Sequence, residues 1–233
     1  MPALHVVAVE HKRVPVHVAI NGVPLSSTAP PTAKGFWRLE PFVVDGPNTI
    51  SIRVEAPKPG ATLTAVVQRG TAGSWSTVVK KEVVPAAGTM TLPFEATDAA
   101  VPAPKAARLG SLSSADRDAI GTLLQRVRTR VSDDPGGELI DLFTHRLDYT
   151  ASIGDTARAE LEAQLLDTFA DLADPDLTPP PSAPAELKLV CSGTLCVPLG
   201  ADGQHWLQAK SDGRGIALAI ALGRVDGAWA VVG

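Results

Sequence analysis

Four polar side chains near the middle of the chain have the spacing that would bring them together on a helix. Asp141, His145 and Tyr149 recur every four residues, and Asp148 adjoins them. Residues four apart share one face of an α-helix, so a carboxylate could orient the imidazole as a general base. The same spacing is typical of a solvent-exposed helix face opposite an apolar one, and this second interpretation is favoured. The catalytic hypothesis therefore names His145, Asp148 and Tyr149 as candidates without committing to them.

One further histidine and two tryptophans are also candidates. His205 precedes Trp206, and adjacent residues of a β-strand point to opposite faces, so at most one of them lines a given pocket. His205 joins the catalytic candidates on these terms. Trp37 and Trp75 could bind sugar rings against their apolar indole faces. Because tryptophan is heavily buried on average, a place in the core or at its rim is the favoured interpretation of both.

The motifs of several common enzyme classes are missing from the sequence. The glycines within 70–74 have no lysine and no following helix, so they do not predict a phosphate-binding loop. There is no Gly-x-Ser-x-Gly elbow, and the five histidines show neither HxH nor HExxH spacing. No metal site and no cofactor are therefore predicted. The only cysteines, Cys191 and Cys196, could close a hairpin as a disulfide, but free thiols are expected in a reducing compartment.

The composition is that of a globular protein. The chain has 233 residues, of which 45% are hydrophobic and 20% are charged, and its formal net charge is −4. No basic cluster is available to neutralise phosphates, so nucleic-acid binding is not expected. No apolar stretch approaches the roughly 18 residues of a membrane span. The N terminus lacks a basic start followed by an apolar core, which predicts a cytoplasmic location.

A Pro/Ala-rich segment divides the chain, and two domains are predicted. This linker, at 99–107, separates a first domain at 1–98 from a second at 108–233. The first domain contains about seven short alternating strands with turn signals between them, which predicts an all-β sandwich. Among these signals, Asn21 and Gly22 predict a tight type I′ turn, since both residues tolerate a positive φ.

Two segments of the first domain resemble parts of known folds. Residues 18–22 form a strand that ends in Asn-Gly, and residues 45–52 form a Gly-x-Asn turn that leads into an alternating strand. Together they resemble bacterial immunoglobulin-like domains and carbohydrate-binding modules. The resemblance implies an immunoglobulin-like sandwich, although the Cys…Trp…Cys pattern of antibody domains is absent.

Three helices followed by strands are predicted for the second domain. Ser113 and Asp116 form a capping signal for the first helix, the second is predicted over 138–149, and the third begins near 154 and ends at Pro175. An antiparallel meander follows, with an Asp-Gly hairpin turn before the last strand. Helices first and a meander after them describe an α+β domain.

The order of these elements, and a last strand with Gly227, Trp229 and Val231, resemble the cone-shaped SnoaL-like, or ketosteroid-isomerase-like, fold. Its cavity would give the polar stripe around His145 a ligand to act on. That fold hosts both enzymes and non-catalytic association domains, so the resemblance implies a cavity but no particular reaction.

The sequence favours a non-catalytic protein-binding function over an enzyme, because two well-specified folds carry no strong catalytic motif. The expected partner is another protein, to which this chain would bind as an adaptor, inhibitor or toxin-neutralising protein. Two alternatives stay open: use of the C-terminal cavity for a small ligand or a reaction, and carbohydrate binding by the first domain. The oligomeric state does not follow from the sequence.

Overall fold

The computed structural model describes residues 4–25, 33–40, 42–71, 74–97, 112–133, 136–153, 156–173, 188–192, 195–200, 205–211 and 214–233. The chain divides into two compact units, Met1–Val101 and Pro102–Gly233. The predicted linker at 99–107 lies outside the described residues. Among the residues that are described, no helix is both long enough and apolar enough to cross a membrane.

The first unit is built of antiparallel strands, eight of them in its described part. They are β1 (Leu4–Lys12), β2 (Val16–Ile20), β3 (Val23–Pro24), β4 (Ala33–Arg38), β5 (Gly46–Val54), β6 (Thr62–Thr71), β7 (Ser74–Val83) and β8 (Gly88–Ala96). The strands form two four-stranded sheets, in the orders β4-β1-β6-β7 and β3-β2-β5-β8.

Each sheet of the first unit buries one face, because its residues alternate with a period of two. On β2, for example, Val16, Val18 and Ile20 are buried, whereas the residues between them are half-buried. The rings of His5 on β1 and Phe94 on β8 lie 6.1 Å apart, so the two sheets meet across their buried faces. The prediction of a β-rich first region is confirmed, and an immunoglobulin-like topology stays a prediction.

Two asparagines organise the turns of the second sheet. Asn21 and Gly22 have φ values of 49° and 87°, as the predicted type I′ turn requires. The buried Asn48 side chain accepts hydrogen bonds from the Asn21 amide at 2.9 Å and from the Val44 N–H at 3.0 Å. It donates to the carbonyls of Val44 at 2.7 Å and Gly46 at 2.9 Å. All four hydrogen-bonding positions of this amide are therefore satisfied.

In the second unit, helices precede strands, and four helices lie in its described part. They are α1 (Ser114–Asp133), α2 (Gly137–Leu142), α3 (Thr144–Ile153) and α4 (Arg158–Leu172). The predicted capping signal forms, since the Ser113 hydroxyl accepts the Asp116 N–H at 3.1 Å and the Asp116 carboxylate accepts the Ser113 N–H at 3.0 Å. Ile120, Leu124 and Val127 of α1 then recur at helical spacing and are buried in the core.

The prediction of one helix over 138–149 is wrong, because the helix breaks at Phe143. Phe143 ends α2 with a φ of −103° and a ψ of 7°. Its ring is fully buried and lies 5.1 Å from the ring of Phe169 on α4, in an edge-on contact. The local sequence contains no glycine or proline that would end a helix here. The feature observed at the break is the contact between the two phenylalanine rings. The described helices are therefore four instead of the expected three.

The strands of the second unit do not form the predicted single meander. They are β9 (Lys188–Ser192), β10 (Leu195–Leu199), β11 (Leu207–Ser211), β12 (Arg214–Leu218), β13 (Leu222–Val225) and β14 (Ala228–Val231). They form a sheet in the order β14-β13-β10-β9 and a separate β11-β12 pair. The chain leaves the β12 pairing before Ala221, whose N–H donates to the Gly233 carbonyl at 2.7 Å and whose carbonyl accepts the Val232 N–H at 2.8 Å.

The expectation of free thiols is also wrong. Cys196 on β10 is disulfide-bonded. The chain has one other cysteine, Cys191 on β9, and the strand register places it directly opposite Cys196. Directly opposed residues of an antiparallel pair have Cα atoms about 4.5–5.5 Å apart, within the range that a disulfide spans.

Candidate functional site

The polar stripe predicted on the second helix is divided between two elements. Asp141 lies on α2, whereas His145, Asp148 and Tyr149 lie on α3, beyond the break at Phe143. His145 and Asp148 are exposed, and Tyr149 is half-buried. The His145 imidazole makes no hydrogen bond to a carboxylate or to any other group among the described residues. The structure therefore does not place an oriented histidine–carboxylate pair on this face.

The Asp148 carboxylate takes part in an ion pair that joins α3 to α4. The Arg158 guanidinium contacts it and also donates to Glu162 at 2.8 Å. The hydrogen bond to Glu162 is the main cause of a raised pKa at Arg158, and the charge of Asp148 adds to it. Because these groups are exposed in large part, the network links two helices at the surface and contributes little to stability.

His205 and its neighbour Trp206 are both buried in the second unit. The backbone of His205 forms an isolated bridge with Leu199 at the end of β10. Burial lowers the pKa of His205, because the imidazolium would lose its hydration, so the ring is neutral near pH 7. The Nδ1 atom of His205 and the Nε1 atom of Trp206 have no hydrogen-bond partner in the structure as described. His205 is thus part of the interior, whereas His145 and Asp148 on α3 are exposed.

The two tryptophans considered for sugar binding lie at opposite edges of one sheet. Trp37 is on β4 and Trp75 is on β7, with β1 and β6 between them. Three strand spacings amount to roughly 14 Å, too far for one continuous stacking platform. Each indole instead covers a glycine, since a Cβ atom at Gly35 would lie 1.9 Å from the Trp37 ring, and one at Gly70 would lie 2.9 Å from the Trp75 ring.

A groove of about 500 Å³ lies between α1 and the β13–β14 hairpin, within the second unit. We call it the α1–hairpin groove. Its apolar lining is contributed by Ala115, Ala119, Leu123, Ala228 and Trp229. Arg126 and Arg224 add positive charge, so the groove combines an apolar surface with two guanidinium groups.

One wall of the α1–hairpin groove is held by hydrogen bonds that converge on Asp116. Its Oδ1 atom accepts the Trp229 Nε1–H at 3.1 Å and is contacted by the Arg224 guanidinium. Its Oδ2 atom accepts the Ser113 hydroxyl at 2.7 Å. The Arg224 guanidinium lies over the Trp229 ring, 5.5 Å from its centroid, in a cation–π contact. The start of α1 and the hairpin are thereby joined through polar contacts.

The electrostatics of this wall follow from the same contacts. Hydrogen bonds from Ser113, Arg224 and Trp229, in that order of effect, hold the pKa of Asp116 well below its usual range. Asp116 is therefore ionised near neutral pH and balances the charge of Arg224. Arg126, on the same groove, has no ion pair with a described residue.

Sequence reasoning identified Asp116 only as a capping acid and Trp229 only as part of a fold pattern, and it missed Arg126 and Arg224. A signal for the hairpin was available. The predicted Asp-Gly turn forms, with φ values of 50° and 85° at Asp226 and Gly227, and it places Arg224 directly opposite Trp229 in the register. Cross-strand neighbours interact on one face, so this pair could have been proposed. The packing of the hairpin against α1 could not.

Among the described residues, no group of three or more His, Cys, Asp and Glu side chains could hold a metal ion. No protein-family model, curated protein or solved structure matches the chain. The function of the α1–hairpin groove therefore has to be argued from its own chemistry.

Proposed function

We propose that this chain is a non-catalytic protein-binding protein and that the α1–hairpin groove is its recognition surface. The supporting observation is the contact of Asp116 with Arg224 and Trp229, which holds a guanidinium and an indole in fixed positions on the groove. Tryptophan and arginine are enriched among the residues that dominate the energetics of protein interfaces. Because both side chains are already held, binding costs less conformational entropy.

The partner segment that fits this groove presents an apolar side chain next to an acidic one. Ala228 and the Trp229 ring offer apolar contact area. The charge of Arg224 is already balanced by Asp116, whereas that of Arg126 is not balanced by any described residue. A partner carboxylate could accept two parallel hydrogen bonds from the Arg126 guanidinium, which is the strongest arrangement for such a pair.

The chemistry of the groove supports binding more than a reaction. The described lining contains no histidine and no cysteine. Its hydroxyl closest to a carboxylate, that of Ser113, caps α1 and donates to Asp116. Because this hydroxyl and this carboxylate serve the helix cap, the described lining offers no nucleophile that is paired with a free base.

The two alternative functions expected from the sequence stay predictions. Catalysis would require His145, Asp148, Tyr149 and His205 to act in one cavity, and the described positions of these residues offer no support for that. Carbohydrate binding would have to rely on Trp75, which is 41% exposed, or on the half-buried Trp37, and the two lie at opposite edges of one sheet. Neither alternative has an observation comparable to the fixed indole and guanidinium of the α1–hairpin groove.

We also propose that the protein works in an oxidising compartment. Disulfides such as that of Cys196 are rare in the reducing cytosol. The disulfide therefore argues against the cytoplasmic location expected from the N terminus. Thiol labelling of the protein isolated from its native cell and unfolded in denaturant would distinguish the two locations, because Cys196 is buried in the fold. The cytoplasmic form should be labelled at both cysteines and the exported form at neither.

The groove can be tested with the full chain and a random peptide library displayed on phage. We expect the recovered peptides to carry Asp or Glu beside an aromatic or aliphatic residue. Calorimetric titration of a synthetic peptide should then show about 30-fold weaker binding to Trp229→Ala, from the roughly 2 kcal/mol of an interface hot spot. Arg126→Glu should weaken binding by about tenfold or more, because it places two acidic groups side by side.

Arg117→Glu provides the matched control for this experiment. Arg117 is exposed on the same helix but does not line the groove. The Arg117→Glu protein should therefore bind the peptide like the original chain. Equal binding by all three variants, or failure to recover any peptide of this composition, would refute the groove as a protein-binding surface.

A further inference from the structure

Arg146, on α3, carries a charge that no acidic side chain balances among the described residues. Its guanidinium donates to the Ala219 carbonyl at 2.8 Å, which accounts for one of its five N–H groups. Its Cζ atom lies 5.9 Å from the centroid of the buried Phe143 ring. A carbonyl and an aromatic face therefore hold the side chain in place without neutralising it.

The position of Arg146 is energetically unusual. The residue is half-buried, and burial lowers the pKa of its guanidinium to about 10. The group is still protonated near pH 7, so the fold keeps an ionised group in a poorly hydrated place. A partly buried charge without a counter-ion is costly, and proteins commonly pair such a group or let it bind a ligand of opposite charge.

Arg146 faces a small cavity between α3, α4 and β12. The cavity measures about 170 Å³. This is close to the roughly 150 Å³ that holds a benzene molecule in an engineered protein cavity. Its apolar lining consists of four leucines, Leu147, Leu161, Leu165 and Leu218. Thr150, Gln164 and Thr168 add neutral polar groups, so Arg146 is the only charged residue of the described lining.

We propose that this cavity binds a small carboxylate with an apolar body of about the size of a benzene ring. The carboxylate would lie on the Arg146 guanidinium, which can donate two parallel N–H groups to it. The apolar body would contact the leucines of α3 and α4. The site is separate from the α1–hairpin groove and shares no lining residue with it. It does not depend on the proposed protein-binding function, and it involves none of the residues singled out in the sequence.

Calorimetric titration of the full chain with benzoate tests the proposal. Benzoate should bind, and benzamide, which has the same shape but no charge, should bind at least tenfold more weakly. Inorganic phosphate, an anion without an apolar body, should also bind at least tenfold more weakly. Equal binding of benzamide would refute a role for the charge, and tighter binding of phosphate would refute the apolar part of the proposal. No binding of benzoate would refute the site.

Two variants and two controls locate the binding. Arg146→Gln should lose benzoate binding by tenfold or more, whereas Arg128→Gln, a change at a half-buried arginine of α1, should not. If Arg146→Gln does not fold, Leu161→Phe fills the cavity at a half-buried position and should reduce binding while keeping the charge. Arg126→Glu should leave benzoate binding unchanged, which separates this test from that of the groove. Unchanged binding by both Arg146→Gln and Leu161→Phe would overturn the proposal.

Discussion

Two hairpins of this protein, one in each unit, carry a tryptophan close to the turn, and they use it differently. In the β6–β7 hairpin, Trp75 is 41% exposed and its ring covers the space left by Gly70 across the strand pair. In the β13–β14 hairpin, the Trp229 ring lies against Arg224 and its N–H donates to Asp116. The first indole fills a gap in its own sheet, whereas the second joins its hairpin to a helix.

Exposure alone is a poor guide to a recognition residue. Trp75 is the more exposed of the two, yet its contact compensates for a missing side chain within its own sheet, a recognised device for glycine in strands. Trp229 is only half-buried, but a hydrogen bond and a cation fix its ring beside a groove. A ring that is fixed in this way can bind a partner without first losing rotamer freedom.

Individual polar side chains of the two units also differ in whether their partners lie within the protein. In the first unit, the Asn48 amide is fully used by partners on its own strand and in the adjoining turns. In the second unit, Arg126 and Arg146 each lie on a cavity with no acidic partner among the described residues. Both proposed binding sites therefore belong to the second unit.

The change in stability that we expect to be largest tests whether the two units unfold independently. Phe143→Ala removes a fully buried ring from the core of the second unit and should lower its free energy of unfolding by about 3–5 kcal/mol. Scanning calorimetry should show one transition at a lower temperature and the other unchanged. Ile52→Ala, at a fully buried position of β5, should lower the other transition instead.

The two variants control for each other. A single transition that falls in both of them would mean that the chain unfolds as one cooperative unit. In that case the two units could not be treated as independent in stability.

A smaller effect is expected from Gly70→Ala in the first unit. A Cβ atom at this position would lie 2.2 Å from the Ser74 carbonyl oxygen and 2.9 Å from the Trp75 ring. Overpacking of this kind should lower the free energy of unfolding by about 1–3 kcal/mol, as measured with chemical denaturant. The Trp75→Ala change should recover only part of the loss, because the Ser74 oxygen stays. If Gly70→Ala leaves the free energy of unfolding unchanged, the hairpin can adjust to the added methyl group. The Trp75 ring would then not be held in place over the glycine.

Much of the architecture follows from local patterns in the sequence. The α1–hairpin groove and the Arg146 cavity depend instead on contacts between residues that are far apart in the chain. Alternation predicted the β-rich first region, and Asn-Gly and Asp-Gly predicted two turns that the structure confirms. Ser113 and Asp116 predicted the start of α1. The break at Phe143 carries no local signal and depends on packing against Phe169.

The candidate sites were harder to predict for the same physical reason. Asp116 meets Trp229 across 113 positions of sequence, and Arg146 meets Ala219 across 73. Periodicity reports which face of an element is apolar, but it does not report which other element covers that face. Three of the catalytic candidates, His145, Asp148 and Tyr149, were chosen by spacing on one helix, and spacing does not reveal a partner on another element.

The smallest expected effect is an acid-dependent change at the Trp229 hairpin that the Trp75 hairpin should not share. The Ser113 hydroxyl, Arg224 and Trp229 all favour the ionised Asp116 carboxylate, and they hold its pKa below that of the unfolded chain. For a carboxyl group with a lowered pKa, the stabilisation is fully present above the unfolded value of about 3.9 and is lost as the pH falls below it. The free energy of unfolding should therefore fall more steeply below about pH 4 in the original chain than in Asp116→Asn.

Added salt should reduce this difference, because the groups lie near the surface. Chemical denaturation of the original chain and of Asp116→Asn at a series of pH values measures this difference. Equal acid sensitivity of the original chain and Asp116→Asn would mean that the carboxylate does not fix the indole, and the contrast between the two hairpins would then rest on the cation–π contact alone.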